Sequence, residues 1–219
     1  MIDVIIPARN EADTIGKVID AFIPVPYIGS ILIGIDPETR DDTELACSER
    51  ECFWRRAPEP GKGQVIASML DYVESEYLVL CDADLTGLTP LHVQTFACEC
   101  HRQTVGVPDF PDLSPVPWPV RMDIFAQMSG QRCLPTEIVQ SIPLHGYTVE
   151  AFLNRAVEKA GLETVYRTLG GVKGKVRRND IRMAELRRDR EWIAEHWDVS
   201  SGGVRGSDWI GTMKQWLRS

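Results

Sequence analysis

The 219-residue sequence predicts an α/β fold in which a mostly parallel sheet is flanked by helices. Three observations carry this. Short apolar runs alternate with stretches whose apolar residues recur at helical spacing. The alternation repeats four times between residues 2 and 82. The fourth run, Tyr77-Leu78-Val79-Leu80-Cys81-Asp82, is apolar without a polar face, as a strand covered by helices on both sides must be.

Each element follows from local pattern. Asp3-Val4-Ile5-Ile6-Pro7 reads as a buried strand stopped by its proline. Ala12, Ile15, Val18, Ile19 and Phe22 then fall at helical spacing, with Asn10 expected as N-cap and Asp13 three residues on in the capping-box position. Residues 30–36 read as the second strand and 42 to about 50 as a short helix. A third strand is expected around Cys52-Phe53-Trp54, and a helix opening at Gly63 with Val65, Ile66, Met69, Leu70 and Val73 on one face. The five prolines between Val107 and Pro119 predict a surface loop. Residues 135–160 read as helical, with Val149, Phe152, Leu153, Ala156 and Val157 on one face, and 163–169 as a strand.

Composition narrows the class. With 43% hydrophobic and 26% charged residues the chain is of ordinary globular type, which excludes collagenous and disordered polymers. A formal charge of -8 argues against a surface that binds nucleic acid or anionic lipid through bulk electrostatics. No segment reaches the roughly 20 apolar residues of a membrane helix, and no charged head with an apolar run opens the chain. Cytoplasmic residence without membrane insertion is therefore expected. The six cysteines lack zinc-ligand spacing, with Cys98, Cys100 and His101 forming only a weak cluster, and are read as reduced structural thiols.

In an open α/β sheet, ligands sit in the crevice beyond the carboxyl ends of the strands. Polar residues cluster at those ends: Asn10 and Glu11 after the first strand, Asp36 after the second, Asp82 and Asp84 after the fourth. A carboxylate there needs a helix to cap, a cation or a metal. Asp82-Ala83-Asp84 is the sharpest signal, because side chains two apart on an extended segment project to one side and can share a hard cation. Mg²⁺ or Mn²⁺ held there would stabilise a departing diphosphate; the plainer alternative is that Asp84 caps the turn before Leu85-Thr86-Gly87. Gly61-Lys62-Gly63 opens a helix, where unpaired N–H groups favour an anion and Lys62 adds a full charge, or else it is a plain loop. Neither the Gly-Lys-Ser/Thr ending of a triphosphate loop nor GxGxxG is present.

Taken in order, these segments resemble the GT-A glycosyltransferases of family-2-like type, a Rossmann-like fold. The resemblance rests on Ile6-Pro7-Ala8-Arg9-Asn10-Glu11, on Asp36 followed by Thr39-Arg40-Asp41-Asp42-Thr43, on Gly61-Lys62-Gly63 and on Asp82-Ala83-Asp84, covering residues 2 to about 90. It implies a nucleotide-sugar pocket lined by Pro7, Ala8, Asn10, Glu11, Asp36, Lys62, Asp82 and Ala83, with Mn²⁺ or Mg²⁺ on Asp82 and Asp84. Looser matches at Ser129-Gly130-Gln131-Arg132 and Gly146-Tyr147-Thr148-Val149-Glu150 resemble acceptor-side segments, particularly of members acting on small phosphorylated acceptors. They imply acceptor contacts from Arg132, His145 and Tyr147. Arg132 is alternatively a surface ion pair, and His145 a solvated loop residue. Glu150, at a helix start, is the choice for a base at the acceptor hydroxyl, or else a favourable charge at a helix N-terminus.

Two departures stand out. Pro37-Glu38-Thr39 replaces the Asp-Gly-Ser of many relatives. Where relatives carry a metal-binding His near Leu169-Gly170-Gly171-Val172, this chain has Lys173 and Lys175, so Lys175 is a candidate for leaving-group stabilisation. The resemblance implies a glycosyltransferase domain over 1–172, with a nucleotide-sugar half (1–90) and an acceptor half (91–172). A basic, Trp-rich helical tail follows over 173–219. That tail holds Arg177, Arg178, Arg182, Arg187, Arg188 and Arg190, then Trp192, Trp197, Trp209 and Trp216. It supports an alternative of another class, a nucleic-acid binder or a transferase whose acceptor is DNA; otherwise it is a solvated helix with its tryptophans packed on the body. The acceptor is left open between a small molecule and a polymer, as are the stereochemistry and the number of subunits.

Overall fold

A computed structural model of the chain describes residues 1–109, 126–127, 129–146 and 148–174. Seven strands form one sheet in the order β3-β2-β1-β4-β7-β6-β8. These are β1 (Ile2–Ala8), β2 (Ile28–Ile35), β3 (Phe53–Arg56), β4 (Tyr77–Leu80), β6 (Gln103–Pro108), β7 (Gln131–Pro135) and β8 (Thr164–Leu169). All run parallel except β7, which is antiparallel to both β4 and β6. A two-stranded ribbon pairs β5 (Leu85–Thr86) with β9 (Lys173–Gly174). The predicted α/β class and its four successive βα units are borne out.

The helices cover both faces. α1 (Ile15–Phe22) and α4 (Pro90–Phe96) lie on one side, where Phe22 and Phe96 meet edge to face with ring centroids 6.5 Å apart. Burying a phenylalanine contributes about 1.5–3 kcal/mol. On the other side, α3 (Lys62–Leu70), α5 (Thr136–Gln140) and α6 (Val149–Lys159) pack Ile66, Met69, Val139, Phe152 and Leu153 against Ile5, Leu32, Leu78 and Leu80. The short α2 (Thr43–Ser48) joins β2 to β3. One charge sits inside β1: Asp3, 2% exposed, accepts backbone N–H bonds from Ser30, Glu74 and Ser75, which satisfies its carboxylate.

Several expectations are corrected. Pro7 lies within β1, paired with Gly34, rather than ending it. Asn10 is not an N-cap: it adopts φ +56°, reversing the chain after β1, and its Oδ1 accepts from Arg40 N. The helix begins at Ile15, behind a turn in which Thr14 N and Ile15 N donate to Glu11 O. The single helix expected over 135–160 is two, because Pro143 cannot continue a helix and Gly146 takes φ +49°. Val107 and Pro108 end β6 instead of opening a loop; residues 110–119 lie outside the described residues. Lys173 and Gly174, expected in the tail, pair with β5. The rest of the basic, Trp-rich tail, Lys175 included, lies outside the described residues.

Cys47, Cys52, Cys81 and Cys98 are free thiols, as expected, but two cysteines differ. Cys100 and Cys133 form a disulfide with Cα atoms 5.1 Å apart, inside the usual range. The two are 33 residues apart, so no local spacing betrays the pair. Among the described residues no helix is long and apolar enough to cross a membrane.

Candidate active site

Chain direction explains why the functional side chains meet. The order β3-β2-β1-β4 reverses between β1 and β4, and a crevice opens beyond their carboxyl ends. The helix that follows the parallel β3 presents its N-terminus to that end, which brings in Lys62 at the start of α3; the bond from Gly63 N to Gly146 O docks the start of α6 beside it, which brings in Glu150. Because β7 runs the other way, its first residues, Gln131 and Arg132, with Ser129 and Gly130 just before them, arrive at the same end. Beneath this edge lies a void too small for a ligand, among Lys62, Cys81, Gly130, Arg132 and Glu150.

Lys62 sits at the centre of this group. Its Nζ donates to Asp82 Oδ1 at 2.7 Å and to Glu150 Oε1. Its side chain is only 16% exposed. Burial alone would lower the pKa of this lysine, but the charges of Asp82 and Glu150, with the hydrogen bonds to both, hold it above the ordinary value. Asp82 Oδ2 accepts from Gln131 Nε2 at 2.8 Å. Burial, with Asp82 and Asp84 adding negative charge, pushes the Cys81 thiol well up, so it stays protonated and inert.

The remaining predicted nucleotide-side residues gather around this cluster. Ala8 ends β1, buried beside the half-buried Pro7. Glu11 is 2% exposed, its backbone N donating to Thr43 Oγ1 and its Oε2 accepting from Thr14 Oγ1. Asp36, 3% exposed, accepts from Glu38 N at 2.8 Å and from Gly61 N at 2.9 Å, so it fixes the loop that aims α3. Arg9 and Glu38 form an ion pair at 2.7 Å across the ends of β1 and β2, at one of the positions that departs from Asp-Gly-Ser. Ala83 is buried and Asp84 half-buried.

The Gly61-Lys62-Gly63 segment serves packing as well as charge. A Cβ at Gly63 would lie 2.3 Å from His145 N and 2.5 Å from Leu144 C, so only glycine lets the 144–146 turn seat on α3. Gly63 N donates to Gly146 O at 2.8 Å, which engages a helix N-terminal N–H otherwise offered to an anion. Gln64, unremarked in the sequence, clamps the same turn: Oε1 accepts from Gly146 N and Nε2 lies 3.0 Å from His145 Nδ1. His145 is therefore held against α3 rather than merely solvated.

Arg132 corrects the surface ion-pair alternative, since its residue is 0% exposed. Its Nε donates to Ser129 O, Nη1 to Gln103 Oε1 and Asn154 Oδ1, and Nη2 to Gln127 O, all at 2.6–2.9 Å and all neutral oxygens. Burial lowers its pKa, opposed by the nearby Glu150, Tyr166 and Asp82. As placed, the guanidinium braces the crevice floor. Glu150 and Asn154, one helical turn apart on α6, reach Lys62 and Arg132 respectively. Tyr147 and Lys175 lie outside the described residues, and Lys173 is exposed in β9 opposite Thr86.

The donor set can be tested against a divalent cation. Among the described residues no group of three His, Cys, Asp or Glu side chains is placed to hold a metal, which includes the Cys98-Cys100-His101 cluster. Asp82 follows β4 and Asp84 lies in the turn before β5, rather than on one extended segment; they are two hard carboxylate donors, which suits Mg²⁺ or Mn²⁺ completed by phosphate oxygens and water, not a closed protein cage. Two carboxylates of this kind are what a cation arriving with a diphosphate would need.

A sheet whose first strands are ordered 3-2-1-4, with one antiparallel strand, has the GT-A fold. No family model matches the chain. In sequence it is similar to glucosyl-3-phosphoglycerate synthase of Mycolicibacterium paratuberculosis, 37% identical over 101 residues, which cover 42% of this chain and 31% of that protein. The Mycobacterium tuberculosis (strain H37Rv) protein of the same name is 33% identical over 101 residues, with the same coverage. The match thus spans about a third of the length of these curated relatives. In structure it is similar to the Mycobacterium tuberculosis glucosyl-3-phosphoglycerate synthase solved with Mn²⁺, UDP and glucosyl-3-phosphoglycerate, at TM-score 0.73 and 22% identity over 92% of this chain and 82% of that one. The same enzyme with Mn²⁺, UDP-glucose and glycerol 3-phosphate aligns at TM-score 0.73 and 23% identity, again over 92% and 82%. The fold expected from the sequence resemblance is borne out.

Proposed function

We propose that this chain is a glycosyltransferase that moves a sugar from a UDP-sugar to a hydroxyl of a small phosphorylated acceptor, with Mn²⁺ or Mg²⁺ bound through Asp82 and Asp84. The observation that carries the reading is the convergence of Asp82, Lys62 and Glu150 at the carboxyl edge between β1 and β4. Support for the donor, metal and acceptor classes comes from the similar proteins, solved with UDP-glucose, Mn²⁺ and phosphoglycerate or glycerol 3-phosphate.

Glycosyl transfer builds positive charge on the sugar and negative charge on the departing diphosphate, and an enzyme gains rate by stabilising those charges more than the ground state. Bound at Asp82 and Asp84, the cation would supply Lewis-acid stabilisation of the diphosphate. In this reading Asp82 orients the donor, while Pro7, Ala8, Asn10, Glu11 and Asp36 shape the nucleoside end. Lys62 adds a fixed positive charge where the leaving group accumulates electrons. Glu150, on the acceptor side of that lysine, takes the proton of the attacking hydroxyl as its oxygen bonds to the sugar, with His145 on the turn beside it. Arg132 keeps the floor rigid.

A thermal-shift panel of UDP-, GDP- and dTDP-sugars, with Mn²⁺ and in chelator, tests this, because a ligand that binds only the folded chain raises its Tm. The expected result is a metal-dependent rise with UDP-sugars, followed by a mass gain of one hexose on 3-phosphoglycerate or glycerol 3-phosphate. A flat panel would retire the reading.

A further inference from the structure

Resting on that donor-site reading, we infer that Gln131 is a positioning residue that aims the Asp82 carboxylate, and that Ser129 fixes which end of the Gln131 amide faces it. The register places the parts. Leu80 pairs with Arg132 across the antiparallel β4–β7 ladder, so two residues further on Asp82 comes opposite Gly130, beside Gln131. A Cβ at Gly130 would stand 2.4 Å from both carboxylate oxygens of Asp82, so glycine there lets the backbone lie flat against the carboxylate.

The two oxygens of Asp82 are gripped from opposite walls. Oδ1 accepts from Lys62 Nζ at 2.7 Å, and Oδ2 accepts from Gln131 Nε2 at 2.8 Å. A carboxylate's last torsion is broad and roughly two-fold when unheld. One donor on each oxygen selects one plane, and that plane decides where the carboxylate presents itself to a sugar or a cation.

A glutamine amide works this way in only one orientation. Turned over, its carbonyl oxygen would oppose the carboxylate. Ser129 Oγ, 2.7 Å from Gln131 Oε1, donates to that oxygen and commits Nε2 to Asp82. The hydroxyl also lies 2.5 Å from Gly106 O but carries a single proton. A proton on the Gly106 side would leave the hydroxyl oxygen against Gln131 Oε1 with no proton between them and turn the amide away from Asp82, so donation to Gln131 is the arrangement that holds the carboxylate. Arg132 Nε pins the backbone by donating to Ser129 O at 2.8 Å. With Gln131 1% and Ser129 5% exposed, water does not replace a lost donor. A neutral amide also orients the carboxylate without adding a second positive charge to compete with a cation.

The test is UDP affinity by calorimetry, with Mn²⁺ and in chelator, for wild type, Gln131→Leu, Ser129→Ala and the double variant, with Tm measured for each. Gln131→Leu should weaken Mn²⁺-supported UDP binding about tenfold while changing chelator binding less than about twofold. Ser129→Ala should weaken the supported binding about threefold, and the double variant should be no worse than Gln131→Leu, since the serine acts through the amide. Equal loss with and without Mn²⁺, unchanged affinity, or additive losses would overturn the inference. Should Gln131→Leu fail to fold, Ser129→Ala, which removes one oxygen, decides by the same comparison. A wild-type chain that binds no UDP in either condition overturns the donor-site reading, and the inference with it.

Discussion

Lys62 Nζ lies 2.7 Å from Asp82 Oδ1 and also donates to Glu150, so one ammonium joins the end of β4 to the start of α6. Three charged groups from distant parts of the sequence thus act as one cluster, in which the lysine occupies ground that a divalent cation would contest.

Replacing Lys62 by Met should therefore have two opposite effects. Two half-buried carboxylates lose their shared cation, so Mn²⁺ alone should bind more tightly. UDP, deprived of a positive contact, should bind about tenfold more weakly, equivalent to about 1.4 kcal/mol. Calorimetry with each ligand separately reads both. Weakening of both ligands together would count against the shared-cluster account.

The same substitution carries a pH signature. The Lys62 pKa is raised in the folded chain above its ordinary 10.5, so its stabilising contribution is complete below that value and is lost only as pH rises through the folded pKa. The stability gap between wild type and Lys62→Met should accordingly stay flat from pH 7 to about pH 10 in urea melts. A gap that closes between pH 7 and pH 9 would show that the lysine is not held by its two carboxylates.

Gly63→Ala should destabilise the chain even though alanine is the better helix former by about 1 kcal/mol. The added methyl would meet backbone atoms of Leu144 and His145 at 2.3–2.5 Å, and backbone cannot rotate away. A net loss of about 1–3 kcal/mol is expected, with a displaced 144–146 turn. Urea melts check the first and proteolysis near His145 the second; a gain in stability would mean that the turn does not seat on α3.

Arg132→Lys should cost about 3 kcal/mol or more, because one ammonium cannot serve the four oxygens that the guanidinium satisfies in a site closed to water. The measurement is Tm alongside acceptor KM. A variant with wild-type Tm and a raised acceptor KM would restore Arg132 as a direct acceptor contact.

The nucleotide half was the more legible part of the sequence, and the reason is local. Each βα unit there repeats an apolar run, a polar strand end and a helical stripe, so β1 through β4 and the positions of Glu11, Asp36, Lys62 and Asp82 could be read in order. What escaped depends on tertiary partners. β6 contains Gly106 and Pro108, and β7 contains Arg132, residues that disguise a strand until its neighbours bury and satisfy them. The bracing of Arg132 by Gln103, Asn154 and Gln127 spans three separate segments and leaves no spacing to find. Nor does spacing betray the Cys100–Cys133 bond. Asn10 carried a cap-like pattern but took the left-handed turn that an asparagine tolerates, while Thr14 stands at the helix start. The segment 129–132 stood out by resemblance as acceptor-side, whereas its glutamine and glycine close on the carboxylate of Asp82.

The most direct test of the central claim is a calorimetric titration of UDP into wild type and Asp84→Asn, in Mn²⁺ and in chelator. The account predicts that Mn²⁺ tightens UDP binding to the wild type at least about tenfold, and that Asp84→Asn abolishes that gain. UDP binding that ignores Mn²⁺, or an Asp84→Asn chain that responds to Mn²⁺ as the wild type does, would contradict it.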